Sequence, residues 1–197
     1  MSRITISDVG WRRSHDAPLA TRRAVLSALV LLGSGCVASA APGNDGQTKS
    51  AVEQIVYRNA KFGFSLRIPE DVFAPSTTPN AEGGGMWVSR DGQARLVAAA
   101  QPNETQESLQ SYRKFLMTQT YENATFDYTP MRDNWFVLSG TKDGRMFYER
   151  VTFACDGRYI YGWQLQYPVA ERQRYDRVVE AVHRNYKVGK GVDERCN

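Results

Sequence analysis

Four apolar runs follow one another between residues 124 and 167, and this stretch constrains the fold more than any other. The runs are 124–131, 135–140, 146–155 and 159–167, separated by Asp133-Asn134, Asp143-Gly144 and Asp156-Gly157. Asp-Gly accepts the left-handed backbone of tight hairpin turns, so the spacing predicts an antiparallel meander. In the last run Tyr159, Tyr161, Trp163, Leu165 and Tyr167 alternate with Ile160, Gly162, Gln164 and Gln166. Side chains of a strand alternate between its faces, so the aromatic set shares one face. We expect that face to be core rather than a binding platform.

The upstream chain reads in the same way. Ile55-Val56-Tyr57 is a short apolar run, and Phe64, Leu66 and Ile68 alternate with Ser65 and Arg67 until Pro69 ends the strand. A loop through Pro75, Pro79 and Gly83-Gly84-Gly85 leads to Met86-Trp87-Val88. Arg90-Asp91-Gly92 then turns the chain into a partner strand over 94–100. A phosphate cradle at the three glycines would need a helix amino-terminus and usually a Lys behind it. A strand follows instead, so the glycines are expected to serve as a loop hinge.

Two helices complete the pattern. Leu109, Tyr112, Phe115 and Leu116 recur at helical spacing behind a cap expected at Asn103 or Thr105, with Arg113 and Lys114 off the apolar face. Pro168 is expected to end the last strand and open the second helix, in which Tyr175, Val178, Val179, Val182 and Tyr186 form the buried stripe. The order β-β-β-β-α-β-β-β-β-α predicts an α+β fold, an antiparallel β-sheet packed against two main α-helices in an α/β/α-type sandwich.

The amino end has a different character. Thr21-Arg22-Arg23-Ala24-Val25-Leu26 opens an apolar run that continues to Leu32, the plan of a signal peptide. The run is too short to cross a hydrocarbon core, which needs about 20 residues. The paired arginines resemble a twin-arginine export signal; an ordinary secretory leader is the alternative. Ala38-Ser39-Ala40 is a small-x-small cleavage site that would leave Ala41 as the mature start. Gly33-Ser34-Gly35-Cys36 offers a rival, a lipoprotein box in which Cys36 would be lipidated. Gly33 stands where that box wants an aliphatic residue, so soluble release is preferred. The expected organisation is a signal peptide at 1–40, a flexible linker at 41–53, the folded domain at 54–187 and a tail at 188–197. The compartment expected is the bacterial periplasm or the medium, with membrane attachment only through Cys36.

Export changes the reading of charge and cysteine. The chain carries 25 Lys and Arg against 21 Asp and Glu. Residues 1–40 hold five of the Arg and two of the Asp, so 20 basic and 19 acidic side chains remain, a net of +1. That balance does not call for nucleic acid. Cys155 and Cys196 remain as an even pair in a compartment where disulfides persist, and we expect them to pair. Closing that loop would stabilise the fold by about 4 kcal/mol in the chain-entropy description.

Tyr57, followed by Gly63-Phe64-Ser65 and Pro69, resembles the opening of PsbP-like domains, named after an extrinsic subunit of the oxygen-evolving photosystem. The later hairpins and the closing amphipathic helix are similar in layout, so the resemblance spans roughly residues 54–187. It implies a mostly non-enzymatic accessory or binding module outside the cytoplasm. It carries no site residues over to this chain.

Catalytic signatures are sparse. His183 is the one histidine beyond the leader, and a metal site built on several histidines is thereby excluded. No Gly-x-Ser-x-Gly motif is present. Glu149, beside Arg150, reads as part of a solvated strand face, and nothing brings it together with Asp156. No cofactor is indicated. The function expected is therefore a periplasmic accessory or binding protein whose partner is another periplasmic or envelope protein. Trp87, Trp135 and Arg145 are candidate members of its interaction surface. The alternatives are a hydrolase with an unfamiliar site and an inhibitor or immunity protein.

Overall fold

The computed structural model describes residues 53–75 and 83–189. The leader, with Cys36, Ala40 and Ala41, lies outside the described residues, as does most of the linker. So does the end of the tail, with Cys196.

Eight strands and two helices follow the predicted order. β1 (Gln54–Asn59) and β2 (Phe64–Pro69) form a two-stranded antiparallel hairpin. The other strands are β3 (Gly84–Val88), β4 (Arg95–Pro102), β5 (Thr125–Tyr128), β6 (Trp135–Lys142), β7 (Arg145–Ala154) and β8 (Tyr159–Pro168). They make one antiparallel sheet in the order β3-β4-β8-β7-β6-β5. The meander therefore closes on the β3–β4 pair through β8, which pairs with β4 on one edge and β7 on the other and so lies in the sheet interior.

The turns explain the register. Asp143 and Gly144 both have positive φ, 49° and 72°, the backbone of a two-residue hairpin turn between β6 and β7. Cys155, Asp156 and Gly157 are likewise left-handed, so the β7–β8 connection is a wider loop.

α1 (Leu109–Phe115) runs directly into a π-helical turn (Leu116–Thr120). Its cap is Ser108, whose hydroxyl accepts from the Ser111 N–H, rather than Asn103 or Thr105. Asn103 instead pins the loop before the helix to the β7–β8 turn. Its side chain accepts from the Glu107 N–H and donates to the carbonyls of Glu107 and Gly157. Pro168 ends β8 as expected, but a 3-10 turn (Val169–Glu171) intervenes before α2 (Arg172–Asn185).

The sheet carries a core on each face. On one side β1, β2 and α2 cover Leu96, Ala98, Tyr161, Trp163 and Leu165. On the other, α1 and the π-helical turn cover Phe136, Leu138, Phe147, Val151 and Ile160. The aromatic stripe of β8 is core, as expected, and the opposite face of that strand is largely buried too, because β8 is central and sandwiched.

The three glycines act differently from a hinge. Gly84 and Gly85 lie inside β3, and a Cβ built on Gly84 would come within 2.2 Å of the Ala98 carbonyl oxygen. The glycines allow close approach of β3 to β4.

Candidate functional site

Alternation along β7 sends Phe147, Glu149, Val151 and Phe153 toward α1, and Met146, Tyr148, Arg150 and Thr152 toward α2. Each face has its own polar constellation.

The constellation on the α1 side is sealed. Glu149 is 0% exposed, which corrects its reading as a solvated residue: α1 and the π-helical turn lie over its face of the strand. Its Oε2 accepts from the Tyr121 hydroxyl, and that hydroxyl accepts from Gln164 Nε2 at 2.6 Å. Glu149 Oε1 has no partner among the described residues. Burial pushes the carboxyl up to about 7, against the opposing pull of the Tyr121 hydrogen bond. A cleft of about 50 Å³, room for a few water molecules, lies alongside and is lined by Tyr121, Lys142, Arg145 and Gln164 among others. Glu149 does not line it. Nor does it line the two wider, open depressions beside the 103–108 loop and the β7–β8 turn.

The constellation on the α2 side reaches the surface. Trp135 begins β6 directly opposite Thr152 of β7, and the Arg150 guanidinium lies 4.4 Å from the centre of the Trp135 ring. That is cation–π distance. α2 brings His183 to the same place. Its Nε2 is 3.5 Å from Arg150 Nη1, and its Nδ1 is 3.2 Å from the Tyr148 hydroxyl. Tyr148 in turn stacks on Trp163 with ring centres 5.0 Å apart. Tyr128, 56% exposed, and Met131, 37% exposed, are further large apolar side chains at the β5–β6 edge of the sheet.

Charge fixes the proton pattern here. Partial burial, then the Arg150 charge, hold the His183 pKa below its ordinary value, so the ring is neutral near pH 7. Arg has no acceptor, so His183 Nε2 must present its lone pair to Arg150. The ring proton then sits on Nδ1 and is donated to the Tyr148 oxygen. The Tyr148 proton is left for another acceptor. Burial pushes the Tyr148 phenol up to about 12, so it remains a donor.

Of the expected surface residues, the structure keeps one on this surface. Trp135 is there. Trp87 is 2% exposed and packs edge-on against Tyr57 in the core between hairpin and sheet, because Trp87 falls on the inward face of β3. Arg145 is exposed but lies on the α1 face, where it donates to the Gln93 carbonyl. Asp156 is an exposed turn residue and Cys155 sits beside it, half-buried, while Cys196 lies outside the described residues. Tyr148 and Arg150 were missed. The signal that could have found them is register: they share the face of Trp163 and Leu165, their partners on β8. Among the described residues no group of three His, Cys, Asp or Glu could hold a metal. No described helix is long and apolar enough to cross a membrane.

No family model and no curated protein matches the sequence. Solved structures do. The chain is similar to the solution structure of cyanobacterial PsbP (CyanoP) from Synechocystis sp. PCC 6803, with a TM-score of 0.51 and 13% identity, covering 74% of this chain and 98% of that one. It is also similar to the crystal structure of the Saccharomyces cerevisiae Ran-binding protein Mog1p, with a TM-score of 0.49 and 9% identity over 70% of this chain and 96% of that one. The fold is PsbP-like, as the Tyr57 to Pro69 segment and the order of elements implied.

Proposed function

We propose that this protein is an exported accessory protein of the bacterial periplasm or envelope, and that it binds another protein there through the surface formed by Trp135, Tyr148, Arg150 and His183. The observation that carries the reading is the composition of that surface. Trp, Tyr and Arg are enriched where binding energy concentrates, and here they touch one another through stacking, a cation–π contact and the histidine that α2 brings to them. The strongly perturbed carboxyl, Glu149, lies sealed on the opposite face, away from open depressions, which argues for binding over catalysis. Export is supported by the basic-then-apolar leader and its Ala40–Ala41 cleavage site, with lipidation at Cys36 as the other route. Pairing of Cys155 with Cys196 would tie the tail to the β7–β8 turn.

The test is co-purification of the tagged protein from its own envelope fraction after mild cross-linking, with Trp135→Ala alongside. A stoichiometric protein partner that the variant loses supports the reading. Recovery of the protein alone, also at low salt, overturns it. Mass spectrometry of the same material reports a start at Ala41, or a diacylated Cys36.

A further inference from the structure

Arg150 is a half-buried cation that no described residue neutralises. Among the described residues no carboxylate pairs with it, and its buried Nε–H has no acceptor. Glu149, its neighbour in sequence, is on the other face of the sheet. Among the described residues, the group that receives an Arg150 hydrogen bond is the neutral His183 imidazole, at 3.5 Å. The buried hydroxyls of Thr152 and Tyr186 lie within reach of each other beside it. Tyr186 feels both Arg150 and Thr152, which ease its ionisation against the larger effect of burial, so these groups lie together.

A charge withdrawn from water without a counter-ion is costly. The energetic demand here is for an acceptor, and the guanidinium fork matches a carboxylate. The Tyr148 proton, turned away from His183, is a second donor beside it. One formal positive charge next to a neutral histidine balances a monoanion, whereas a phosphate dianion would lack a second cation.

We infer that Arg150 and Tyr148 form a carboxylate-binding site, with Trp135 as the platform that holds the guanidinium in place. The inference rests on the reading of this surface as the binding face. The carboxylate belongs to an acidic side chain of the protein partner or to a free organic acid; the recognition chemistry is the same.

The experiment is an NMR titration of the full exported protein, following the Arg150 side-chain and His183 ring resonances. The probes are sodium benzoate, the capped peptide acetyl-Leu-Asp-Leu-amide, inorganic phosphate, and sodium chloride as the ionic control. Saturable shifts with the carboxylates, absent with chloride and weakened at least tenfold in Arg150→Lys, are expected. Arg150→Lys keeps the charge and loses the fork, and the Trp163 indole resonance reports that it is folded. Tighter binding of benzoate assigns the site to a free organic acid, and tighter binding of the peptide assigns it to a protein side chain. Phosphate binding as tightly as either carboxylate overturns the assignment. So does the absence of saturable shifts, or an Arg150→Lys variant that binds like the wild type. A partner captured equally well by wild type and Arg150→Lys would sink this site while leaving the accessory reading intact. Carboxylate binding with no captured partner would do the reverse.

Discussion

The Tyr121 hydroxyl donates to Glu149 Oε2 at 2.5 Å, tying the last residue before the β5 connection to the middle of β7. Tyr121 is where the chain leaves the π-helical turn, and its ring stacks on Phe147 with centres 4.0 Å apart. One residue thus closes the α1 side of the sheet by packing and by a polar link.

Burial raises the Glu149 pKa from 4.5 to about 7, so the folded state binds the proton more tightly than the unfolded state. Stability should therefore fall as pH rises through the window from about 4.5 to 7, and level off above it. The contribution is roughly 3 kcal/mol at most, at 1.36 kcal/mol per pKa unit. Glu149→Gln keeps an acceptor for Tyr121 and cannot ionise. Thermal melts should show it more stable than wild type at pH 8 and close to it at pH 5.

Removing the hydroxyl separates packing from polarity. Tyr121→Phe retains the stack on Phe147 and strands both Glu149 Oε2 and Gln164 Nε2, at a cost of about 1–3 kcal/mol. Because the lost hydrogen bond had been lowering the Glu149 pKa, the pH-dependent window should move upward. Denaturant titrations at several pH values measure both effects.

His183 reports on Arg150. Replacing Arg150 by Gln removes the smaller of the two causes of its depressed pKa, so an NMR titration should find the histidine raised yet still below its ordinary value. In the wild type the depressed pKa makes protonation favour the unfolded chain, so this group's contribution is present above about 6.5 and is lost as pH falls from there through the lower folded value. A histidine pKa unchanged in Arg150→Gln would contradict the contact.

Asp91 fastens the β3–β4 turn to α2. Its carboxylate accepts from the Ser89 hydroxyl and the Gln93 N–H, and from Arg174 at 2.9 Å. The Ser89 hydrogen bond, then that of Gln93, holds its pKa below the usual range. Asp91→Ala should destabilise by about 1–2 kcal/mol through the turn, whereas Arg174→Ala, removing an exposed ion pair, should cost less than about 1 kcal/mol. Chemical denaturation of the two variants distinguishes them.

Gly84→Val tests the close approach of β3 to β4. With backbone rather than a flexible side chain in the way of the new Cβ, the edge strand must move. A loss of more than about 2 kcal/mol is expected, and hydrogen exchange should show the Ala98 and Ala100 amides, which face β3, exposed while the Ala99 amide, which faces β8, stays protected.

The order of elements, the hairpins and the core role of the Tyr159–Tyr167 stripe are legible in the residues alone. These depend on local chemistry: alternation fixes which side chains share a face, Asp-Gly fixes where the chain reverses, and an apolar stripe marks the helix side that must be buried. Alternation is silent about what covers each face. Glu149 and Arg150 are neighbours on one strand, yet one is sealed under the π-helical turn and the other stands at the surface against Trp135. That difference comes from the pairing of β7 with β6 and β8 and from the helix packed on each side. The same cause sent Trp87 into the core and Arg145 to the opposite face from Trp135. A polar residue on a strand becomes costly or useful according to the layer packed over it, and that layer comes from distant chain.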